Sequence, residues 1–313
     1  MSQQTIAVLV MAYGGPNRIE DVQPYLLDIR AGRPTPDSIV EEVRHRYELI
    51  GGRSPILEET QDQAGALQAA LDELGDPPWR VFVGMKHWHP FIAEAAAEIE
   101  QSGIQRLVGI VMAPHYSRMS VESYFDRLGQ ALRTRSVPME VARIASWKDD
   151  PGYLDTLEAR IRSGLARFPA AARPEVTLIF TAHSLPKRIL EWSDPYPNEL
   201  AVTVQALKAR FPDQRSHFAY QSAAMTTEPW LGPEAGDLML SLIEDGTRHF
   251  LVIPIGFVSE HVEILYDVDI DYRRRVEARG GRLERIEMPG SDPRLMTSLA
   301  QRVRAEAGAR GWL

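Results

Sequence analysis

The sequence predicts an α/β protein made of two similar halves, each a parallel sheet flanked by helices, with a cleft between them. Three observations carry this. Short continuous apolar runs such as Thr5–Ala12 (TIAVLVMA) and Val176–Phe180 (VTLIF) alternate with segments of helical periodicity, as buried parallel strands do when crossover helices join them. The order of elements restarts after Ser146–Tyr153 (SWKDDPGY). The phrases themselves also return: VLVMAYGGP (8–16) lies over LIFTAHSLP (178–186), and QSGIQRLVGIVMAPHYS (101–117) over EDGTRHFLVIPIGFVS (244–259). The alignment sets Tyr13 against His183, Ser117 against Ser259 and Tyr124 against Tyr266. In paired α/β halves the loops after the strands line the cleft.

Taken in order, the first strand stops at Tyr13-Gly14-Gly15-Pro16, a turn. Helical stretches follow at Asn17–Arg30, Asp37–Ile50 and Glu58–Leu74, separated by Arg33-Pro34-Thr35-Pro36 and Gly51-Gly52-Arg53-Ser54-Pro55. Three helices exceed what one βαβ crossover needs, so Arg30–Gln63 reads as a lid over the cleft. Next come a strand at Arg80–Val83, the loop GMKHWHP, a helix at Phe91–Gln101 and a strand at Leu107–Met112. A helix at Val121–Arg133 and a strand at Met139–Arg143 complete the half. The second half has a helix at Leu154–Phe168, the strand Val176–Phe180, room for about one helix, and a strand at His217–Tyr220. It continues with a helix at Pro233–Ile243, a strand at His249–Pro254, a strand at Leu283–Glu287 and a helix at Pro293–Ala307.

Composition narrows the chemistry. The 313 residues are 44% hydrophobic and 25% charged, ordinary for a water-soluble protein of two domains. A net charge of -8 argues against a nucleic-acid partner. With no cysteine there is no disulfide, thiolate nucleophile or thiolate-held cluster, and any metal must be met by His, Asp, Glu or Tyr. The apolar run Ile6–Ala12 is too short for a membrane span and lacks a signal peptide's basic lead, so the expected location is the cytoplasm.

The segment Pro254–Asp271 (PIGFVSEHVEILYDVDID) is where chemistry concentrates. On one helix at about 100° per residue, Glu260, Glu263, Asp267 and Asp271 fall within an arc of roughly 80°. Such a row needs solvent, a basic partner or a cation to offset its repulsion, and His261 adds a nitrogen donor. A solvated acidic face with Arg274 paired to Asp271 remains the competing reading. His183 follows a buried strand directly, where α/β proteins present functional groups. Ser184 beside it lacks a GxSxG elbow, and no Walker or GxGxxG loop follows any strand. The lid carries Arg30, Arg33, Arg44, His45, Arg46 and Arg53 with Tyr47 and Ser54, a set suited to an anionic ligand or, equally, to pairing with Glu41, Glu42 and Glu58 on exposed helix faces. Met11, Trp88, Tyr124, Trp230, Leu231 and Phe257 fall in the cleft loops and suit a flat apolar one.

Eight stretches in order make a specific series: VMAYGGP (10–16), RYELIGGRSPI (46–56), GMKHWHPF (84–91), APHYS (113–117), AHSLP (182–186), DPYP (194–197), EPWLGP (228–233) and the Pro254–Asp271 segment. By these, over nearly its whole length, the chain resembles the ferrochelatases, most closely the coproporphyrin III type of Gram-positive bacteria. The resemblance implies two Rossmann-like domains with parallel four-stranded sheets facing a central porphyrin cleft. It implies an N-terminal domain at 1–147 with the insertion at about 17–75, and a C-terminal domain at 148–290 carrying the metal site. The last helix, 291–313, would pack back on the first domain. It makes His183 and Glu263 the catalytic, iron-handling pair, with Asp267 and Asp271 as a secondary acidic path. Tyr13 becomes an axial iron ligand on the opposite porphyrin face, and Tyr13, Arg30, Arg46, Tyr47, Ser54 and Tyr124 become substrate contacts. Ala31 departs from the closest relatives, where a second Arg often follows Arg30.

The implied reaction is haem biosynthesis, ferrous iron being inserted into coproporphyrin III. The implied protein is a monomer with no permanently bound cofactor, no iron-sulfur cluster and at most a transient haem-pathway partner. Protoporphyrin IX as substrate, or a non-catalytic porphyrin or haem carrier, are the alternatives. A sirohydrochlorin cobalt chelatase would share the general fold with a more His-rich metal site.

Overall fold

The computed structural model describes residues 4–133, 138–223 and 227–313. Its first sheet is built around β1 (Ile6–Ala12), buried at every position, as a strand covered on both faces must be. β2 (Trp79–Met85) and β3 (Arg106–Val111) pair with it in parallel, and β4 (Glu140–Ile144) extends the β3 side, giving the order β2-β1-β3-β4. α1 (Val22–Ile29), α2 (Asp37–Leu49) and α3 (Ile56–Glu73) lie between β1 and β2. α4 (Ile92–Gln101) and α5 (Glu122–Arg133) lie in the next two connections.

In the second half α6 (Pro151–Ala166) leads to β5 (Thr177–His183), α7 (Tyr196–Arg210), β6 (Ser216–Gln221), α8 (Ala235–Glu244) and β7 (His249–Pro254). α9 (Val262–Leu265), a π-helical turn (Asp267–Tyr272) and α10 (Arg273–Glu277) precede β8 (Arg282–Arg285), and α11 (Pro293–Ala309) comes last. This sheet is also all parallel, in the order β6-β5-β7-β8, so β5 stands where β1 stands in the first. Both central strands run out at equivalent points, one at Tyr13 and the other at His183.

One apolar cluster runs through both halves, from Ile6 and Val8 on β1 through Leu67 on α3 to Phe180 on β5 and Val303 on α11. α11 packs on α3 and α6, and Trp312 Nε1 donates to Glu140 Oε2 at 3.1 Å. α6 and α11 start alike, with Asp-Pro. Asp150 accepts from Tyr153 N at 3.2 Å and Asp292 from Arg294 N at 3.1 Å, each cap contributing about 1 kcal/mol.

Two expectations are corrected. The insertion expected over about 17–75 is narrower. Ala64, Leu67 and Leu71 of α3 belong to the main core and α3 packs on β1, β2 and α11, so it is a crossover helix. Only α1 and α2 stand apart, around a small core of Val22, Val40 and Tyr47. The acidic segment is also not one helix. His261 is extended (φ -165°, ψ 179°), and Glu260, ahead of the helix, turns to Arg285 at 3.0 Å. After α9 the backbone closes i to i+5, with Asp271 N donating to Tyr266 O at 2.9 Å. The extra residue in the turn takes Asp271 out of line with Glu263 and Asp267. It meets Arg274 at 2.9 Å and Arg275 at 3.7 Å instead, and Asp269 takes two bonds from Arg285.

α6 meets α11 at Gly152. A Cβ there would lie 2.5 Å from Ser298 Cβ and closer still to the Arg294 carbonyl oxygen. Gly152→Ala is therefore expected to destabilise the fold by about 1–3 kcal/mol, read as a lower urea midpoint at unchanged slope. An unchanged midpoint would mean that the two helices separate without cost.

Candidate active site

The ends of β1 and β5 face a cavity of about 280 Å3 lined from both halves. On the β5 side, the last strand residue is His183. Its backbone is fixed by Tyr196, whose hydroxyl donates to the His183 carbonyl at 2.9 Å. Its Nδ1 lies against the Ser184 carbonyl, which can only accept, so Nδ1 carries a proton and Nε2 is the functional nitrogen. Nε2 stands 3.3 Å from Glu263 Oε1. Ser184 itself is spent on structure, its hydroxyl donating to Leu231 O at 2.8 Å.

Glu263 sits in the first turn of α9. Gln221, fully buried at the end of β6, donates to the Glu263 carbonyl at 3.0 Å and accepts from Thr181 at 2.7 Å, tying that turn to β5. His261 approaches the other carboxylate oxygen, Nε2 to Oε2 at 3.6 Å. The loop before them is held from the first half by two residues one turn apart on α3. Glu59 accepts from Glu260 N at 2.8 Å, and Gln63 donates to Val258 O and Gly290 O at 3.1 and 3.3 Å.

The charges are strongly coupled. Burial works against the His183 cation, but the Glu263 charge and hydrogen bond, the Ser184 carbonyl and Asp267 together lift its pKa to about 9. Burial opposes the Glu263 anion too, and His183 and His261 outweigh it, holding the carboxyl well below its ordinary range. Asp267 behaves differently: burial and Glu263 raise it to about 6 against Ser222, which donates to it at 2.5 Å, and Arg46 at 3.7 Å.

On the β1 side Tyr13 opens to the cleft, 39% exposed, its phenol pushed up by the surrounding walls and by the Glu263 charge. Its ring packs on His87, centroids 4.6 Å apart. His87 Nδ1 is 2.7 Å from Asp28, which also takes Arg127 at 3.0 Å. Burial and the neighbouring Lys86 charge outweigh Asp28 and bring His87 to about 4, so it is a neutral ring. Lys86 lies over both Tyr13 and Tyr124, 5.6 and 5.0 Å from their centroids. Burial and Arg127 lower it to about 8.

Of the six expected substrate contacts, Tyr13, Tyr47, Ser54 and Tyr124 line the cavity and Arg30 and Arg46 do not. Arg46 is turned to Glu42 at 2.5 Å and stacks over Tyr266 at 5.0 Å. Arg30 is exposed at the end of α1. Glu263 and Asp267 come together, while Asp271 is diverted to its arginines. Lys86 and His87, in the loop GMKHWHP, join this wall without having been among the expected site residues. The signal was available, since that loop follows the strand paired with β1 and so must end beside Tyr13. Tyr25 and Tyr196, also in the lining, carried no such signal. A larger cavity of about 480 Å3 lies beyond Glu260, between α3 and the loop 287–293. It contains no histidine, and Glu260 and Asp292 in its wall are answered by Arg285 and by Arg160 and Arg294.

Paired parallel sheets with a His-carboxylate pair at one strand end and an aromatic wall opposite define a chelatase-type protein. SirB from Bacillus subtilis, solved with Fe3+, has the same fold at a TM-score of 0.62 and 11% identity, covering 99% of this chain and 98% of that one. The Ferrochelatase family profile matches residues 5–307, and the chain belongs to that family. It is 41% identical over 296 residues to a ferrochelatase of Herpetosiphon aurantiacus, covering 94% of this chain and 96% of that protein. It is 40% identical over 306 residues to a coproporphyrin III ferrochelatase of Geobacillus kaustophilus, covering 96% and 95%.

If Glu263 is the charge that lifts His183, Glu263→Gln leaves burial dominant. The His183 imidazole is then expected to titrate well below about 9, at or under its ordinary value of about 6.5. Proton-carbon NMR of labelled histidine, assigned with His183→Ala, reads this directly. Titration still near 9 would place the stabilising charge elsewhere.

Proposed function

We propose that this ferrochelatase-family protein inserts ferrous iron into coproporphyrin III, with His183 and Glu263 acting on one face of the macrocycle and Tyr13 on the other. The observation that carries the reading is the placement of Tyr13 on the cleft wall opposite the His183–Glu263 pair, close enough for the Glu263 charge to act on its phenol. The relatives named for coproporphyrin III, in Geobacillus kaustophilus at 40% identity and in Bacillus subtilis at 36%, support the same substrate.

Metallation exchanges two pyrrole protons for one dication. Beside Glu263, His183 holds a proton on Nε2, so that nitrogen can neither bind iron nor accept a pyrrole proton until the proton leaves. Fe2+ arriving at the Glu263 carboxylate lowers the cost of that loss and frees the imidazole as base. Asp267, near 6 and bonded to Ser222, exchanges protons readily at neutral pH and is the next acceptor outward. Asp271 is bound to arginines and is left out of this path. Because the His183 proton competes with the metal, the KM for Fe2+ should fall as pH rises towards about 9. A KM that is flat with pH would remove this proton from the mechanism.

The direct test is anaerobic metallation of coproporphyrin III and protoporphyrin IX, followed by absorbance. Coproporphyrin should be preferred, and His183→Ala and Glu263→Ala should each lose about 100-fold or more in kcat. Preference for protoporphyrin would overturn the substrate. Tight binding without turnover in the intact protein would make it a carrier.

A further inference from the structure

Among the described residues lining the cleft, Lys86 is the one Lys or Arg. Its ammonium lies between the rings of Tyr13 and Tyr124. No carboxylate among the described residues pairs with it. The carboxylate whose charge acts on it, Asp28, is committed to His87 at 2.7 Å and Arg127 at 3.0 Å. The arginines that the sequence offered for anion binding are elsewhere, Arg46 on Glu42 and Tyr266 and Arg30 outside the lining. A half-buried cation that lies against two ring faces and feels the Arg127 charge, with no carboxylate paired to it among the described residues, is under-solvated. Each cation-π contact returns about 0.5–2 kcal/mol, less than an ion pair in the same place.

The backbone that carries the ammonium is also held in place. Arg127 donates to the Lys86 carbonyl and to Asp28, and Asp28 holds His87, against which Tyr13 packs. Lys86 is thus fixed on the Tyr13 wall, across the cleft from Glu263 and His183. A ligand that is negative at its rim and receives a cation at its centre fits this polarity. We propose that Lys86 is the seat of one ligand carboxylate, orienting the macrocycle in its plane so that its centre lies between Tyr13 and the His183–Glu263 pair.

The inference rests on the porphyrin reading, and the experiment separates the two. Binding of coproporphyrin III and of its uncharged tetramethyl ester is followed by fluorescence in the wild-type protein, Lys86→Met and Lys86→Arg, at low and high salt. Lys86→Met should weaken coproporphyrin III by about tenfold or more and leave the ester within about twofold. Lys86→Arg should recover most of the loss, and the salt dependence of the wild type should be smaller in Lys86→Met. In turnover the loss should appear in the porphyrin KM and not in kcat, a split that a damaged fold would not give. Equal binding of coproporphyrin III by wild type and Lys86→Met, or equal losses for acid and ester, overturns the inference alone. A wild-type protein that binds neither porphyrin overturns the porphyrin reading and this inference with it.

Discussion

The arrangement depends on one costly act, placing the Glu263 carboxylate in a cleft whose lining is largely aromatic and apolar. An isolated carboxylate there would take up a proton and lose its charge. It stays ionised because His183 and His261 approach its two oxygens, and the same coupling keeps His183 protonated. Neither imidazole could serve without its own tether. Ser184 O fixes the His183 tautomer, and Ser259 O accepts from His261 Nδ1 at 3.1 Å. The result is a charged pair in which each member satisfies the other until a second cation or base intervenes.

Holding that pair takes both halves of the molecule. The loop that carries His261 is gripped by Glu59 and Gln63 of α3 from the first half and by Arg285 from the second. Arg285, its side chain only 10% exposed, also takes Asp269, so one guanidinium joins the loop before α9 to the π-helical turn after it. The shared core behind them, with α11 against α3 and α6, resists relative movement of the walls. The cleft is therefore polarised by construction, a cation between tyrosines on the β1 side and a carboxylate between histidines on the β5 side.

Much of this was legible in the sequence. The unbroken apolar strands announced a parallel sheet, because a strand covered on both faces has no polar alternation to show. The repeated phrases put Tyr13 and His183 at equivalent strand ends, and the structure finds them facing one cleft. The acidic row misled because it assumed a uniform helical period. One extended residue at 261 and one π-helical turn were enough to send Glu260 and Asp271 to arginines and leave Glu263 with Asp267. Arg46 is engaged for a related reason: a guanidinium takes the carboxylates within reach, and for Arg46 these are Glu42, one turn away on its own helix, and Asp267 at 3.7 Å.

By itself, then, the sequence determined the two-fold α/β plan and the family, and it singled out His183 and Glu263, which the fold brings to 3.3 Å of one another. Each of these is carried by local periodicity or by short motifs that keep their meaning wherever the chain goes. Only the tertiary structure decided which charges are spent on one another and which remain free for a ligand. Lys86 is left without a carboxylate and Arg46 is not, a difference set by contacts between segments far apart in the chain.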